Sequence, residues 1–208
     1  MTTRPPLPVQ LQRVPVLAIL RGLDTEATLA RVDVLAKAGI GAVEVTLDSP
    51  GALETIRALR RRDDGLMAGA GTVMDAVAAR RAVDAGAELL VSPHVDPAVT
   101  CVGTEARIGH LPGALTPTEI VAAWRSGATA VKLFPAGHGG PAMVRALRGP
   151  LRDIPLVPTG GVDATNAACY LRAGATAVAV GSAFTNGTLD EVEDLARALV
   201  ASCLDARR

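Results

Sequence analysis

Two charged residues stand inside apolar runs where charge is out of place. Lys132 sits in Ala130-Val131-Lys132-Leu133-Phe134, and Glu44 sits in Ala42-Val43-Glu44-Val45-Thr46-Leu47. If both runs are strands, side chains alternate between faces, so Ala130, Lys132 and Phe134 share one face while Val131 and Leu133 share the other. By the same parity Glu44 lies with Ala42 and Thr46, opposite Val43 and Val45. Lysine is almost never buried without a reason. One reason is structural: the side chain snorkels to solvent or pairs with a carboxylate. The other is chemical, and the habits of the chain favour it, because 19 of its 21 basic residues are arginine and only Lys37 and Lys132 are lysine. Arginine stays charged, whereas desolvation can leave a lysine as a neutral amine, the nucleophile that forms a Schiff base with a ketone. A glutamate in the same pocket would move the protons that carbinolamine formation and dehydration require. Lys37, beside Ala38 and Gly39 on a helical segment, reads as an ordinary surface residue.

Small residues punctuate the ends of other apolar runs: Gly69-Ala70-Gly71-Thr72, Pro158-Thr159-Gly160-Gly161 and Val180-Gly181-Ser182-Ala183. Each alone is no more than a tight strand exit. Together, the last two present backbone N–H groups suited to a phosphate dianion. Arg21, closing Leu17-Ala18-Ile19-Leu20-Arg21-Gly22, carries a fork that matches a carboxylate, against the plainer reading of an exposed loop arginine.

The elements that must position these residues recur with a regular step. Eight short apolar runs read as strands: Val16 to Leu20, Ala42 to Leu47, Leu66 to Gly71, Leu89 to Val91, Arg107 to Leu111, Ala130 to Phe134, Leu156 to Thr159 and Ala177 to Val180. Between them lie segments of helical spacing: Thr25 to Ala38, Gly51 to Arg62, Met74 to Ala85, Pro117 to Ser126, Ala142 to Leu147, Ala164 to Ala173 and Leu189 to Leu204. Gly39, Gly86, Gly127 and Gly174 stand where a left-handed helix C-cap is wanted. Alternating strands and helices at a step of roughly 20 to 25 residues indicate parallel β/α units. Eight units predict a single-domain (β/α)8 TIM barrel over residues 1–208, with residues 1–13 as an N-terminal lead segment and an open doubly wound sheet as the alternative. In such a barrel, strands two and six are both even-numbered and contribute to common interior layers, so Glu44 and Lys132 can meet. Any chemistry sits where the strands end.

Composition excludes several classes of partner. Net charge is zero and the aromatics number four, Trp124, Tyr170, Phe134 and Phe184, so nucleic-acid binding lacks both charge and stacking surface. No run of 18 apolar residues offers a membrane span, and Met1 to Gln10 lacks the apolar core of a signal peptide, which predicts a cytoplasmic protein. Cys101, Cys169 and Cys203 are odd in number and widely spaced, which predicts reduced, buried thiols rather than a disulfide framework. His94, His110 and His138 form no metal-ligand spacing, so no metal site is expected.

With these residues in place the chain resembles the 2-keto-3-deoxy-6-phosphogluconate (KDPG) aldolase family, which also includes 4-hydroxy-2-oxoglutarate aldolases. The resemblance rests on Ile19-Leu20-Arg21-Gly22, Glu44-Val45-Thr46-Leu47, Gly69-Ala70-Gly71-Thr72-Val73, Ser92-Pro93, Leu111-Pro112-Gly113, Lys132-Leu133-Phe134-Pro135-Ala136, Pro158-Thr159-Gly160-Gly161-Val162 and Gly181-Ser182-Ala183, in that order. It implies a class I aldolase, free of metal and of any cofactor, that splits a keto acid phosphate into pyruvate and glyceraldehyde 3-phosphate, usually as a homotrimer. Lys132 then matches the Schiff-base lysine and Glu44 the general acid/base. Thr72 matches a binder of the pyruvate carboxylate, Pro93, Phe134 and Thr159 match pocket walls, and Gly160, Gly161, Gly181 and Ser182 match the phosphate site. One departure stands out. Many relatives follow Glu-Val-Thr-Leu with a carboxylate-binding arginine, whereas this chain has Asp48, Ser49 and Pro50. Arg21 is the candidate replacement, as in the related galactonate-epimer (KDPGal) aldolases. His94, where relatives often carry Gly or Asn, either tunes substrate choice or fills the rim. The rival readings are another phosphate-binding barrel enzyme (an isomerase, a decarboxylase or a thiamine-phosphate-type synthase) and a non-catalytic phosphate-ligand barrel.

Overall fold

The computed structural model describes residues 4–208, so Met1, Thr2 and Thr3 of the expected lead segment lie outside the described residues. Along the chain come α1 (Val9–Arg13), β1 (Val16–Leu20), α2 (Thr25–Lys37), β2 (Ala42–Thr46), α3 (Ala52–Arg60), β3 (Met67–Gly71), α4 (Ala76–Asp84), β4 (Leu89–Val91), α5 (Pro97–Glu105) and β5 (Gly109–Leu111). There follow β6 (Gly113–Ala114), α6 (Pro117–Arg125), β7 (Val131–Leu133), α7 (Gly140–Arg148), β8 (Leu156–Pro158), α8 (Ala167–Arg172), β9 (Val178–Val180), α9 (Ser182–Thr185) and α10 (Leu189–Asp205).

The result is an α/β fold whose strands pair in parallel throughout. Among the described residues the strands form a curled six-stranded sheet, ordered β5-β4-β3-β2-β1-β9, and a three-stranded sheet, β6-β7-β8. Eight strands in one continuous sheet were expected, and proline explains one difference. Pro112 has no N–H to give a ladder, so the fifth run, expected over Arg107 to Leu111, stops at β5, and Gly113–Ala114 beyond it form a further strand, β6, in the other sheet. At the other seam, Thr159 and Ala179 pair only as an isolated parallel bridge. Hydrogen bonds still cross both seams. Thr129 N donates to His110 O at 2.9 Å, and Thr176 N donates to Leu156 O at 2.9 Å.

Period-two parity is visible in the core as two distinct buried clusters. Leu17, Ala42, Met67, Leu89, Ala130 and Val157 belong to the inner one, enclosed by the strands. Val43, Val45, Val131 and Leu133 belong to the outer one, where they pack with helix residues such as Ile56 and Tyr170. The lead segment does more than lead: Leu11 of α1 is fully buried in the inner cluster with Leu7 packed against it. Burial of such a side chain contributes about 1.5–3 kcal/mol.

Helix ends follow the chain's local chemistry. Asp24, Asp75 and Asp96 cap α2, α4 and α5 by accepting from Ala27, Ala78 and Ala98 N–H at 2.8, 2.7 and 2.8 Å. Thr116 with Glu119, and Thr188 with Glu191, form capping boxes on α6 and α10. The four glycines that follow Ala38, Ala85, Ser126 and Ala173 all take positive φ, between 95° and 105°, as the repeated phrase required. Helix α5 was absent from the expected set, because Pro97-Ala98-Val99-Thr100-Cys101-Val102-Gly103 is poor in helix formers and the cap at Asp96 is its main signal. The expectation of buried thiols holds only for Cys203; Cys101 and Cys169 are exposed, on outward helix faces beside Glu105 and Arg172. Among the described residues no helix is long and apolar enough to cross a membrane.

Candidate active site

A cavity of about 500 Å³ opens where the strands end. Its wall brings together Arg21, Glu44, Thr72, Pro93, Lys132, Phe134, Thr159, Gly160, Gly161, Gly181 and Ser182, all the site residues singled out from the sequence. Ile19, Val162 and Thr185 complete it and had not been named. Ile19 was readable, since it shares parity with Leu17 on the inner face. Val162 and Thr185 were not, because they reach the wall through the turn after β8 and the short helix α9.

Glu44 lies at the centre of β2, in register with Ile19 of β1 and Gly69 of β3. It is 1% exposed, and neither carboxyl oxygen meets a hydrogen-bond partner among the described residues. Gly71 makes this placement possible: a Cβ there would stand 1.8 Å from Glu44 Oε1. Burial holds the Glu44 carboxyl above its ordinary value, with the positive charges of Lys132 and Arg21 pulling it down and Asp48 pushing it up. A carboxyl shifted in this direction holds its proton more readily than an exposed one.

Lys132 projects from the centre of β7, flanked in register by Gly113 and Val157. It is 6% exposed, and its Nζ lies 5.2 Å from the Phe134 ring centroid. Because Glu44 accepts no hydrogen bond from it, the purely structural ion pair lacks its contact. Both side chains instead face one cavity.

Arg21 and Thr72 form the opposite wall. Arg21 Nη2 donates to Thr72 Oγ1 at 2.8 Å, and Nη1 pairs with the Asp48 carboxylate. Thr72 sits at φ 55°, a left-handed conformation that costs a β-branched residue and is found where surrounding structure enforces it. Across the mouth, Gly160 and Gly161 take φ of 79° and 78°, and side chains there would press on Phe134 and Gly137. This leaves backbone rather than side chain facing the cavity.

The three histidines take no place in the wall. His94 is half-buried with its Nδ1 unpartnered among the described residues, and His138 is exposed. His110 is buried between Ser92 Oγ and Thr100 Oγ1, both at 2.9 Å from its ring nitrogens, and burial lowers its pKa to about 3. A neutral imidazole there ties β5 to the end of β4 and to α5, and so holds the strand that leads into Pro93.

A family profile described as "KDPG and KHG aldolase" matches residues 8–200. The chain is 38% identical over 178 residues to "Probable 2-dehydro-3-deoxy-6-phosphogalactonate aldolase" of Rhizobium meliloti (strain 1021), covering 85% of this chain and 84% of the relative. Among solved structures, "Native KDPGal structure" superposes with a TM-score of 0.89 at 31% identity, over 93% of this chain and 96% of that one. The KDPG aldolase from Legionella pneumophila, with pyruvate captured at low pH as a covalent carbinolamine intermediate, superposes with a TM-score of 0.80 at 26% identity, over 92% and 96% of the two chains.

Proposed function

Because the chain belongs to the KDPG and KHG aldolase family, we propose that it is a metal-independent class I aldolase that cleaves 2-keto-3-deoxy-6-phosphogluconate, or its galactonate epimer, to pyruvate and glyceraldehyde 3-phosphate. The same chemistry extends to 4-hydroxy-2-oxoglutarate, giving pyruvate and glyoxylate. One observation carries the reading: a buried lysine and a buried, unpartnered carboxyl share a cavity. An isomerase or a passive phosphate binder has no need of that nucleophile.

In the proposed mechanism the neutral Lys132 amine adds to the C2 ketone, and Glu44 supplies the proton with which water leaves. The resulting protonated imine takes up the electron pair of the breaking C3–C4 bond. Glu44, directly or through water, accepts the C4 hydroxyl proton as the aldehyde forms, then returns a proton to C3 of the enamine. Hydrolysis frees pyruvate and the lysine. The iminium does the electrophilic work that a metal ion performs in other aldolases. Arg21 and Thr72 receive the carboxylate, Pro93, Phe134 and Thr159 wall the chain of the substrate, and the backbone at Gly160, Gly161, Gly181 and Ser182 receives the phosphate.

Incubation with pyruvate and borohydride should add a covalent mass to Lys132. Lys132→Arg keeps the charge, loses the adduct and loses at least about 10³-fold in kcat, as for other residues that act as nucleophiles. A folded protein that forms no adduct would defeat the aldolase reading.

The assembly belongs to the same proposal. Residues 1–208 act as one domain, with the two sheets closing as one (β/α)8 barrel, a reading supported by the hydrogen bonds that cross both seams. A crystal structure with an open seam would refute the closure. A homotrimer is in keeping with the family and with the exposed apolar side chains of Met74 and Val77, near in sequence to Ala78 of a cleft also lined by Leu47, Leu53 and Arg81.

A further inference from the structure

We propose that Asp48 is a positioning residue that sets the affinity of the site for the carboxylate of its keto acid, by holding the Arg21 guanidinium over the cavity. The inference rests on the aldolase reading and deepens it. Among the described residues of the cavity wall, Arg21 is the cation left to meet a carboxylate once Lys132 is the proposed nucleophile, yet about half of its side chain is exposed. An arginine so exposed, on a flexible stem, would spend much of its time in solvent. Two contacts prevent this. Nη1 pairs with one Asp48 oxygen and Nη2 donates to Thr72 Oγ1 at 2.8 Å, which leaves three of the five guanidinium N–H groups for a ligand.

The turn that carries this anchor is itself held by its neighbours. Leu47 N donates to Gly71 O at 2.8 Å, and Ser49 N donates to Thr46 O at 2.9 Å. Ser49 Oγ accepts from Gly22 N at 2.8 Å and shares a hydrogen bond of 2.9 Å with Thr46 Oγ1. The turn that carries Asp48 is thereby stitched to the ends of β1, β2 and β3 at once. Ser49 is buried, so the turn is part of the wall rather than a free loop. Thr72 completes the clamp from the far side, held at its left-handed φ. The carboxylate of Asp48 thus acts through Arg21 and does not line the cavity.

A second way for Asp48 to act has the opposite sign. If it merely competed with the keto acid for the guanidinium, its removal would strengthen binding. Positioning predicts weakening. The test is steady-state cleavage of both C4 epimers by Asp48→Ala, Asp48→Asn, Arg21→Ala and the Asp48→Ala/Arg21→Ala double variant, with pyruvate trapping on Lys132 as a second readout. Asp48→Ala should raise KM by about tenfold, the equivalent of one hydrogen-bonded contact, with the loss falling on KM rather than kcat. Asp48→Asn keeps an acceptor at the same place and should recover most of that loss. In the Arg21→Ala background the Asp48→Ala change should add less than about twofold, since neighbours that act through one another are not additive. A lower or unchanged KM in Asp48→Ala, or a full tenfold effect without Arg21, would overturn the proposal. If the parent protein neither cleaves these substrates nor traps pyruvate, the aldolase reading itself fails, an outcome distinct from a variant that departs from an active parent.

Discussion

Replacing Gly71 by alanine is the most direct probe of how Glu44, the proposed acid/base, is held. The backbone there is extended and accepts an L side chain, since Gly71 is not among the glycines of positive φ. The added Cβ, however, would lie 1.8 Å from Glu44 Oε1, 2.5 Å from Cδ and 2.6 Å from Cγ, where ordinary contact begins at 3.4 Å. Glu44 must therefore move its carboxyl by about 1.6 Å, more than the ~1 Å misplacement that typically costs about 10²-fold in rate. Loss of a positioned general acid/base costs about 10²–10⁴-fold, so kcat should fall by about 10²-fold or more, near 2.7 kcal/mol of transition-state stabilisation. Stability should fall by no more than a similar amount. One crowded methyl costs about 1–3 kcal/mol, partly offset by about 0.4–1 kcal/mol from a less flexible unfolded chain. The assay is pyruvate release, coupled to lactate dehydrogenase, on protein whose melting shows that it remains folded. Borohydride trapping of pyruvate should still label Lys132, only more slowly. A folded Gly71→Ala variant with kcat within about threefold of the parent would refute the placement of Glu44 as the proton carrier.

Acid should act on stability through His110. Its folded pKa of about 3 lies below the ordinary 6.5, so the unfolded chain binds the extra proton; stability is complete above pH 6.5 and is lost as pH falls toward 3, by up to about 1.4 kcal/mol per unit. Glu44, whose pKa is raised, acts in the opposite sense, but it is common to parent and variant, so denaturation of His110→Gln should be flatter below pH 6 and parallel curves would contradict the assignment. Light scattering should give three times the chain mass for the proposed trimer, and a monomer mass at working concentration would remove it.

Much of the site was legible because its residues break local rules. A lysine and a glutamate in apolar strands announce themselves, and strand parity was enough to turn both inward with Ala130 and Ala42 while sending Val131 and Val43 to the helices. Glycine phrases after helices were legible for the same reason, each meeting a local backbone demand. What parity cannot reveal is contact between distant elements. The pairing of Arg21 with Asp48 joins the ends of two strands, so the aspartate at first reads only as a missing arginine. The break at Pro112 was present as a residue, but its effect on sheet membership depends on the neighbouring strand. The exposure of Cys101 and Cys169 depends on which way short helices face, and α5 carries too few helix formers to be found by propensity.

Leu11 gives the interior an inert layer. Leu11 of α1 and Leu7 pack with the inward side chains Leu17, Ala42, Met67 and Leu89, and none of these lines the cavity. Under the proposed chemistry the phosphorylated fragment is held by contacts alone, while the pyruvyl fragment stays bonded to Lys132. The aldehyde is then free to depart at once, and the acid leaves only when water hydrolyses the imine, above an apolar layer that takes no part in the reaction.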